Sequence, residues 1–218
     1  MIQIVTPATH AQLCTPAALQ LAMGEEGELL TLDVLGQLVD HASAAIAAHL
    51  RRVLGRETVR ETIRTAPYSR LCPADAGVPL MLSRSPISAV ASVVADGVAL
   101  VEGTDYDLDA QTGALYRLSG GALSRAGWQH CRLLVVVYTA GYLLPGQSGR
   151  DLPVALEAAC IDLARIWYAA RQRDPALKSQ SVLNGLVTET FHTTGAGTEA
   201  GLPSEIACRL APFREINL

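Results

Sequence analysis

Apolar residues between Leu32 and Val53 recur at spacings of three and four: Leu32, Leu35, Val39, Ala42, Ile46, Leu50 and Val53. On a helical period they form one stripe about six turns long. Thr31 stands before it as a cap, and Asp33 lies in the first turn, where a carboxylate suits the positive helix end. Arg51 and Arg52 close the stripe ahead of Gly55, a stop signal. The pattern predicts a helix over about residues 31–54. Thr15-Pro16 predicts a short helix over 16–23, ended by Gly24, with a polar loop at Glu25 to Glu28. A second long helix, over about 153–173, follows from Leu156, Ala159, Cys160, Leu163, Ile166, Trp167 and Ala170. That stripe is broad enough to be covered on more than one side. Arg171 and Arg173 close it, and Asp174-Pro175 ends it.

Between the long helices the pattern changes. Val59 to Ile63 reads as a strand, and Pro67, Pro73, Gly77 and Pro79 break the next stretch. Ala89 to Val94 is rich in β-branched residues and runs into Asp96-Gly97, a hairpin signal. Tyr106 to Leu108 alternates, Ala114 to Leu118 alternates less cleanly, Gln111-Thr112-Gly113 separates the two, and Leu133 to Tyr138 is an unbroken apolar strand closed by Gly141. Leu186 to Thr193 is Thr-rich and extended in character. Gly195, Gly197 and Gly201 form a flexible hinge, and Pro203 opens a last short helix over 204–210. The fold class is therefore α+β: a small helical bundle with an antiparallel β insertion over about 59–142 and an extended C-terminal arm. The expected division is 1–56 with 150–185 as helical core, 57–149 as the β-rich insertion, and 186–218 as the arm.

Half of the 218 residues are hydrophobic, enough for a sizeable core, which excludes a wholly disordered chain. Aromatics are only 5%, so Ala, Leu and Val must fill that core. The net charge of −4 gives no sign of the basic face that tight nucleic-acid binding needs. Cys14, Cys72, Cys131, Cys160 and Cys208 are odd in number and widely spaced. That argues against a disulfide framework or a zinc knuckle and for reduced, buried thiols. Residues 1–7 lack a basic and then apolar leader, and no apolar run approaches the ~18 residues of a membrane span. The chain is expected on the cytoplasmic side of any membrane.

Each chemical motif fails on its spacing. Asp105, Asp107 and Asp109 match the first three ligands of an EF-hand loop, but Ala110 and Tyr116 stand where Gly and Glu are needed. They read as one solvated strand face. The run from Gly195 to Gly201 places its third glycine one residue late for a dinucleotide fingerprint, with too little chain after it for a βαβ unit. His130 and Cys131 are adjacent on a strand and point to opposite faces, so they form no dyad. His10, His41, His49 and His192 have no metal-site spacing, and Gly146-Gln147-Ser148-Gly149 lacks the last glycine of a nucleophile elbow. No enzymatic activity, metal or cofactor is expected.

Five segments, taken in order, carry a resemblance to a known family. They are Thr15-Pro16-Ala17-Ala18-Leu19; Leu38 to Ile46, leading to Arg51-Arg52; and Pro86 to Val90, followed by Asp96-Gly97 and Tyr106-Asp107-Leu108. The last two are Val136 to Tyr142, followed by Leu152-Pro153 and the helix ending near Tyr168 and Arg171; and Gly201-Leu202-Pro203, leading to Leu210 to Arg214. Together they resemble the head–tail connector (adaptor) proteins of long-tailed bacteriophages, prophages and gene transfer agents, over nearly the whole chain. Phe213 stands where that family usually has tyrosine.

The resemblance implies a helical connector core carrying a β insertion, repeated in a ring of typically twelve copies under the portal protein. The ring would present a platform to the next neck protein, a stopper (head-closure) protein or a tail terminator, and packaged DNA would pass through its lumen unread. Such a protein belongs to the virion neck, is assembled in the host cytoplasm and has no membrane partner. On this resemblance, the segment after the glycine hinge is expected to dock on the portal through Ile206, Leu210, Pro212, Phe213 and Arg214; the alternative is that it folds back onto its own subunit. The wide stripe of the second long helix is expected to meet the neighbouring subunit at Trp167, Tyr168 and Arg171. The rival readings are a stopper or tail terminator, which tend to be smaller and dominated by β structure, and a cytoplasmic enzyme with an unrecognised site.

Overall fold

The computed structural model describes residues 1–64, 77–119, 125–128, 131–171, 177–183, 186–191 and 202–214. Pro67, Cys72, Pro73, His130, Arg173, Asp174, Pro175, His192 and the expected hinge glycines Gly195, Gly197 and Gly201 lie outside these residues. The chain divides into two compact units. One comprises Met1–His10 and Val53–Leu143, the other Ala11–Arg52 and Leu144–Leu218. The division differs from the one expected: residues 1–10 join the sheet unit, its main segment starts four residues early, and residues 144–149 and the C-terminal segment go with the helices.

In the helical unit, α1 (Pro16–Met23) starts as expected, with the Thr15 hydroxyl accepting the Ala18 N–H at 3.1 Å. Glu25–Glu28, expected as loop, forms the one-turn helix α2. Helix α3 (Leu32–Leu50) has Thr31 at its cap and buries Leu35, Leu38, Val39, Ala42, Ser43, Ile46 and Leu50. It stops four residues short of the expected end. Arg51 takes a left-handed conformation (φ 56°), and the Arg51 and Arg52 N–H groups turn back to the carbonyls of Ala48 and Ala47. That arrangement satisfies the helix end without glycine. Leu32 and Val53, the two ends of the expected stripe, are exposed. Helix α4 (Val154–Arg171) buries Leu156, Ala159, Cys160, Leu163 and Ala164. Helices α1, α3 and α4 pack on one another.

The C-terminal segment departs from the extended arm of the sequence reading. Helix α5 (Ser204–Leu210) packs on α4, followed by a 3₁₀ turn at Ala211–Phe213. Leu202, Ile206 and Leu210 are thereby buried within the chain's own helical unit. Covering them internally removes the same apolar area from water as docking on a partner, without the entropy cost of association.

In the sheet unit, β1 (Ile2–Thr6) and β2 (Glu57–Arg64) pair antiparallel at one edge of a five-stranded sheet. The strands β3 (Leu80–Met81), β4 (Ile87–Ala95), β5 (Val98–Ala99), β6 (Tyr106–Asp109), β7 (Ala114–Leu118), β8 (Arg125–Ala126) and β9 (Leu133–Ala140) follow in chain order. The larger sheet has the order β1-β2-β9-β4-β5; β3, β7 and β6 form a second sheet, with β8 against β7. Every named pairing is antiparallel. Asp96 (φ 48°) and Gly97 (φ 86°) make the expected two-residue hairpin turn between β4 and β5. β9 alternates, burying Leu134, Val136, Tyr138 and Ala140. Those residues form one apolar cluster with Val59, Leu80, Val93, Tyr106, Leu115 and Trp128 of both sheets. In the helical unit, β10 (Leu177–Leu183) and β11 (Leu186–Phe191) pair as a hairpin, where only the second was expected to be extended.

Candidate functional site

Two of the residues singled out in the sequence, Tyr168 and Ile206, line one groove of the helical unit. Asp162, Arg165, Ile166 and Ala169 follow the three-and-four spacing of one helix face, and they form its α4 wall with Tyr168. Helix α5 supplies Glu205, Ile206 and Arg209, with Pro203 at its start; Met23 of α1 and Glu26 of α2 complete the lining. The groove is open and holds about 450 Å³.

Its charges are arranged in pairs. Arg209 lies 2.7 Å from Asp162 across the two helices and 3.1 Å from Glu205 on its own helix. Arg165 and Glu26 add one charge of each sign. Carboxylates and guanidiniums around an apolar strip suit recognition of a protein surface.

The groove brings together Tyr168 and Ile206, one from each set of expected contact residues. Ile206 is almost wholly covered, and Leu210 lies beneath α5 with no exposure. Neither is available as a free anchor in this conformation. Pro212 and Arg214 are exposed and Phe213 is half-buried. The Phe213 carbonyl accepts from the Arg52 guanidinium at 3.4 Å, which holds the segment to the end of α3. Trp167 and Tyr168 are half-buried and Arg171 is exposed.

The other candidate residues have local roles. The Asp105 carboxylate accepts the Val101 N–H, Asp107 accepts the Leu108 N–H, and Asp109 accepts from Gln111 and the Thr112 hydroxyl. The Thr112 hydroxyl, chiefly, holds the Asp109 carboxyl below its ordinary range. His10 and His41 are exposed, His49 is half-buried, and Cys131 is buried. Among the described residues, no group of three or more His, Cys, Asp or Glu is placed to hold a metal ion.

Sequence reasoning missed two buried carboxylates on β2. Glu57 and Glu61 share the buried face of that strand with Val59. Glu57 is paired with Arg84 at 2.9 Å. Glu61 accepts the Ser83 N–H at 3.1 Å, the Ser83 hydroxyl at 2.5 Å and the Tyr138 hydroxyl at 2.7 Å. Burial and the neighbouring Glu61 charge push the Tyr138 phenol well above its ordinary value. The signal was the period of two in Glu57, Val59 and Glu61, which places the acids on the same face as the valine.

No family model matches the sequence, and no curated protein matches it. Solved structures do. A chain from the virion of a native gene transfer agent particle aligns over 100% of this chain and 97% of its own, with a TM-score of 0.53 and 18% identity. This chain shares its fold. A chain from the neck of an empty gene transfer agent particle, computed with C6 symmetry, also aligns over 100% of this chain and 97% of its own, with a TM-score of 0.50 and 15% identity. The likeness runs through both units, so the sheet unit belongs to the shared fold as much as the helices do. Among the described residues, no helix is long and apolar enough to cross a membrane.

Proposed function

We propose that this chain is a structural virion protein, the head–tail adaptor of a gene transfer agent or long-tailed phage particle. Its copies form a ring below the portal, of twelve subunits on the family resemblance. The ring joins the filled capsid to the next neck protein, either a stopper or a tail terminator. The neck lies in the virion, and its parts assemble in the host cytoplasm. The chain works by contact and geometry, without catalysis, metal or cofactor. The observation that carries this reading is the fold shared along the whole chain with a gene transfer agent virion chain. The cyclic symmetry of the particle neck holding the second neighbour supports a ring, since six divides twelve.

The charge distribution supports passage of DNA through the lumen. No Lys or Arg precedes Arg51, whereas Glu25, Glu26, Glu28, Asp33 and Asp40 all do. A wall with few cations does not hold phosphates as they slide past. On this reading Trp167, Tyr168 and Arg171 face the next subunit. Pro212, Phe213 and Arg214 meet the portal, while Ile206 and Leu210 keep α5 seated on α4. The lengths of α3 and α4 favour an adaptor over a stopper or terminator, which on the resemblance are mainly β.

The test is imaging of the neck in purified particles and assignment of this chain within it. The expected result is a closed ring between the portal and the next neck protein. Placement elsewhere in the particle, or a non-cyclic arrangement, overturns the reading.

A further inference from the structure

Three segments of the helical unit meet at a small cluster of polarisable side chains. Cys14 lies just before α1, Ser43 on α3 and Cys160 on α4. The Cys14 and Cys160 sulfurs are 3.6 Å apart, with Cys14 as donor. The Ser43 oxygen lies 3.5 Å from the Cys160 sulfur and accepts the Leu13 N–H at 2.9 Å. Either atom of the Ser43–Cys160 pair can donate, so the Ser43 hydroxyl can place its hydrogen on the Cys160 sulfur while its oxygen accepts the Leu13 N–H. Both cysteines are fully buried.

We propose that Cys14 and Cys160 are a modification site, a dithiol that hydrogen peroxide converts into a disulfide joining the segment before α1 to α4. The inference stands on this geometry and does not depend on the adaptor reading. Cys160 is the reacting thiol, because it accepts from Cys14 and lies within hydrogen-bond reach of the Ser43 hydroxyl. Those bonds favour its thiolate and hold it below the ordinary thiol value, against burial and the charge of Glu157. Glu157 is itself paired with Arg150 at 2.8 Å. Donation to Cys160, chiefly, and burial hold Cys14 in the thiol form.

The Cys160 thiolate displaces hydroxide from peroxide, giving a sulfenic acid and, with a proton, water. The Cys14 sulfur then attacks the sulfenic sulfur. The S–O bond breaks as the S–S bond forms, and the hydroxyl leaves as water with the Cys14 proton. Two thiols and one peroxide thus give one disulfide and two waters. Bond formation needs the sulfurs to close from 3.6 Å to about 2.05 Å.

The test uses the full chain. Folded protein is treated with peroxide, quenched with catalase, unfolded in alkylating reagent and mapped without reductant. The expected product is about 2 Da lighter, with the Cys14 and Cys160 peptides joined as the main cross-link. The melting temperature should rise by about 5–10 °C and fall back on reduction. Peroxide added to chain unfolded in guanidinium should give mixed pairings instead. In Cys14→Ser the reaction should halt at a Cys160 sulfenic acid that dimedone traps when the chain is unfolded in its presence. The proposal is overturned if folded wild-type chain keeps both thiols alkylatable, links other cysteines, or carries sulfinic acid at Cys160 without a link. If Cys14→Ser does not fold, the wild-type peptide map alone decides.

Discussion

Arg209 on α5 reaches Asp162 on α4 at 2.7 Å while also holding Glu205, one turn back on its own helix. The ion pair crosses between the two helices at an exposed edge of the groove. Such a pair is screened by salt and adds direction more than strength. Asp162→Asn should therefore leave the chain folded but speed amide exchange over residues 204–213 at low salt. In 1 M salt the difference from wild type should vanish. Equal exchange at low salt would show that apolar contact alone fixes α5.

That apolar contact is the stronger part. Leu210 has no exposure, so Leu210→Ala should cost about 2–5 kcal/mol if α5 belongs to the folded unit. Thermal unfolding of the isolated protein measures it. An unchanged melting temperature would mean that α5 stands away from its own subunit in solution.

Tyr138 gives a pH signature. Its phenol is raised in the folded chain, so the unfolded chain deprotonates first, near the ordinary value of 10.0. The unfolded state then binds fewer protons, and stability falls as pH rises. This contribution is fully present below pH 10.0 and is lost above it. The wild-type minus Tyr138→Phe difference in unfolding free energy should slope downward by about 1.4 kcal/mol per pH unit there. Tyr138→Phe should also cost about 1.5–3 kcal/mol at neutral pH by removing a donor from the buried Glu61 carboxylate. Denaturant titrations from pH 7 to 11 check both.

Gly141 has a φ of +97°, and a Cβ there would lie 2.5 Å from the Gly55 carbonyl oxygen. A backbone neighbour cannot swing aside as a side chain can. Gly141→Ala should lower the melting temperature by about 5 °C or more. Gly146→Ala makes the control, since it has a similar φ of +93° with nothing within 4 Å; it should cost clearly less.

The ring reading is tested on the exposed part of α4. Ile166 and Arg171 are both exposed, so Ile166→Asp with Arg171→Glu should leave the melting temperature within about 2 °C. The same double variant should lose its place in the neck when it is the only copy supplied to assembling particles. Full occupancy measured by imaging would move the subunit contact elsewhere.

What could be read from the sequence depended on whether burial left a period. Helices α3 and α4 each bury a stripe, and α1 and α3 carry capping threonines, so their extents were legible to within a few residues. β7 was legible residue for residue, and the Asp96-Gly97 turn was marked by its own chemistry. β1 left no such mark, because every residue in it is exposed and an edge strand without a buried face has no alternation. β3 and β8, at two residues each, are too short to show a period. The end of α3 was misplaced because Arg51 takes the left-handed conformation that glycine usually supplies. The spacing of Ile206 and Leu210 gave their apolar face correctly but carried no information on whose surface covers it.

The backbone of the sheet unit is stitched where its main segment begins and ends. The Tyr142 N–H bonds the Leu54 carbonyl at 2.8 Å, and the Arg56 N–H bonds the Tyr142 carbonyl at 2.9 Å. A segment whose ends meet in this way can be exchanged by recombination between genes, because any replacement with the same end-to-end distance fits the same gap. β1 narrows that freedom, since its partner strand β2 lies inside the exchangeable segment while β1 itself is encoded far upstream. A viable swap must therefore import a first strand that still accepts Ile2–Thr6 along its edge. Lineages that trade this cassette should show the N-terminal strand changing together with it.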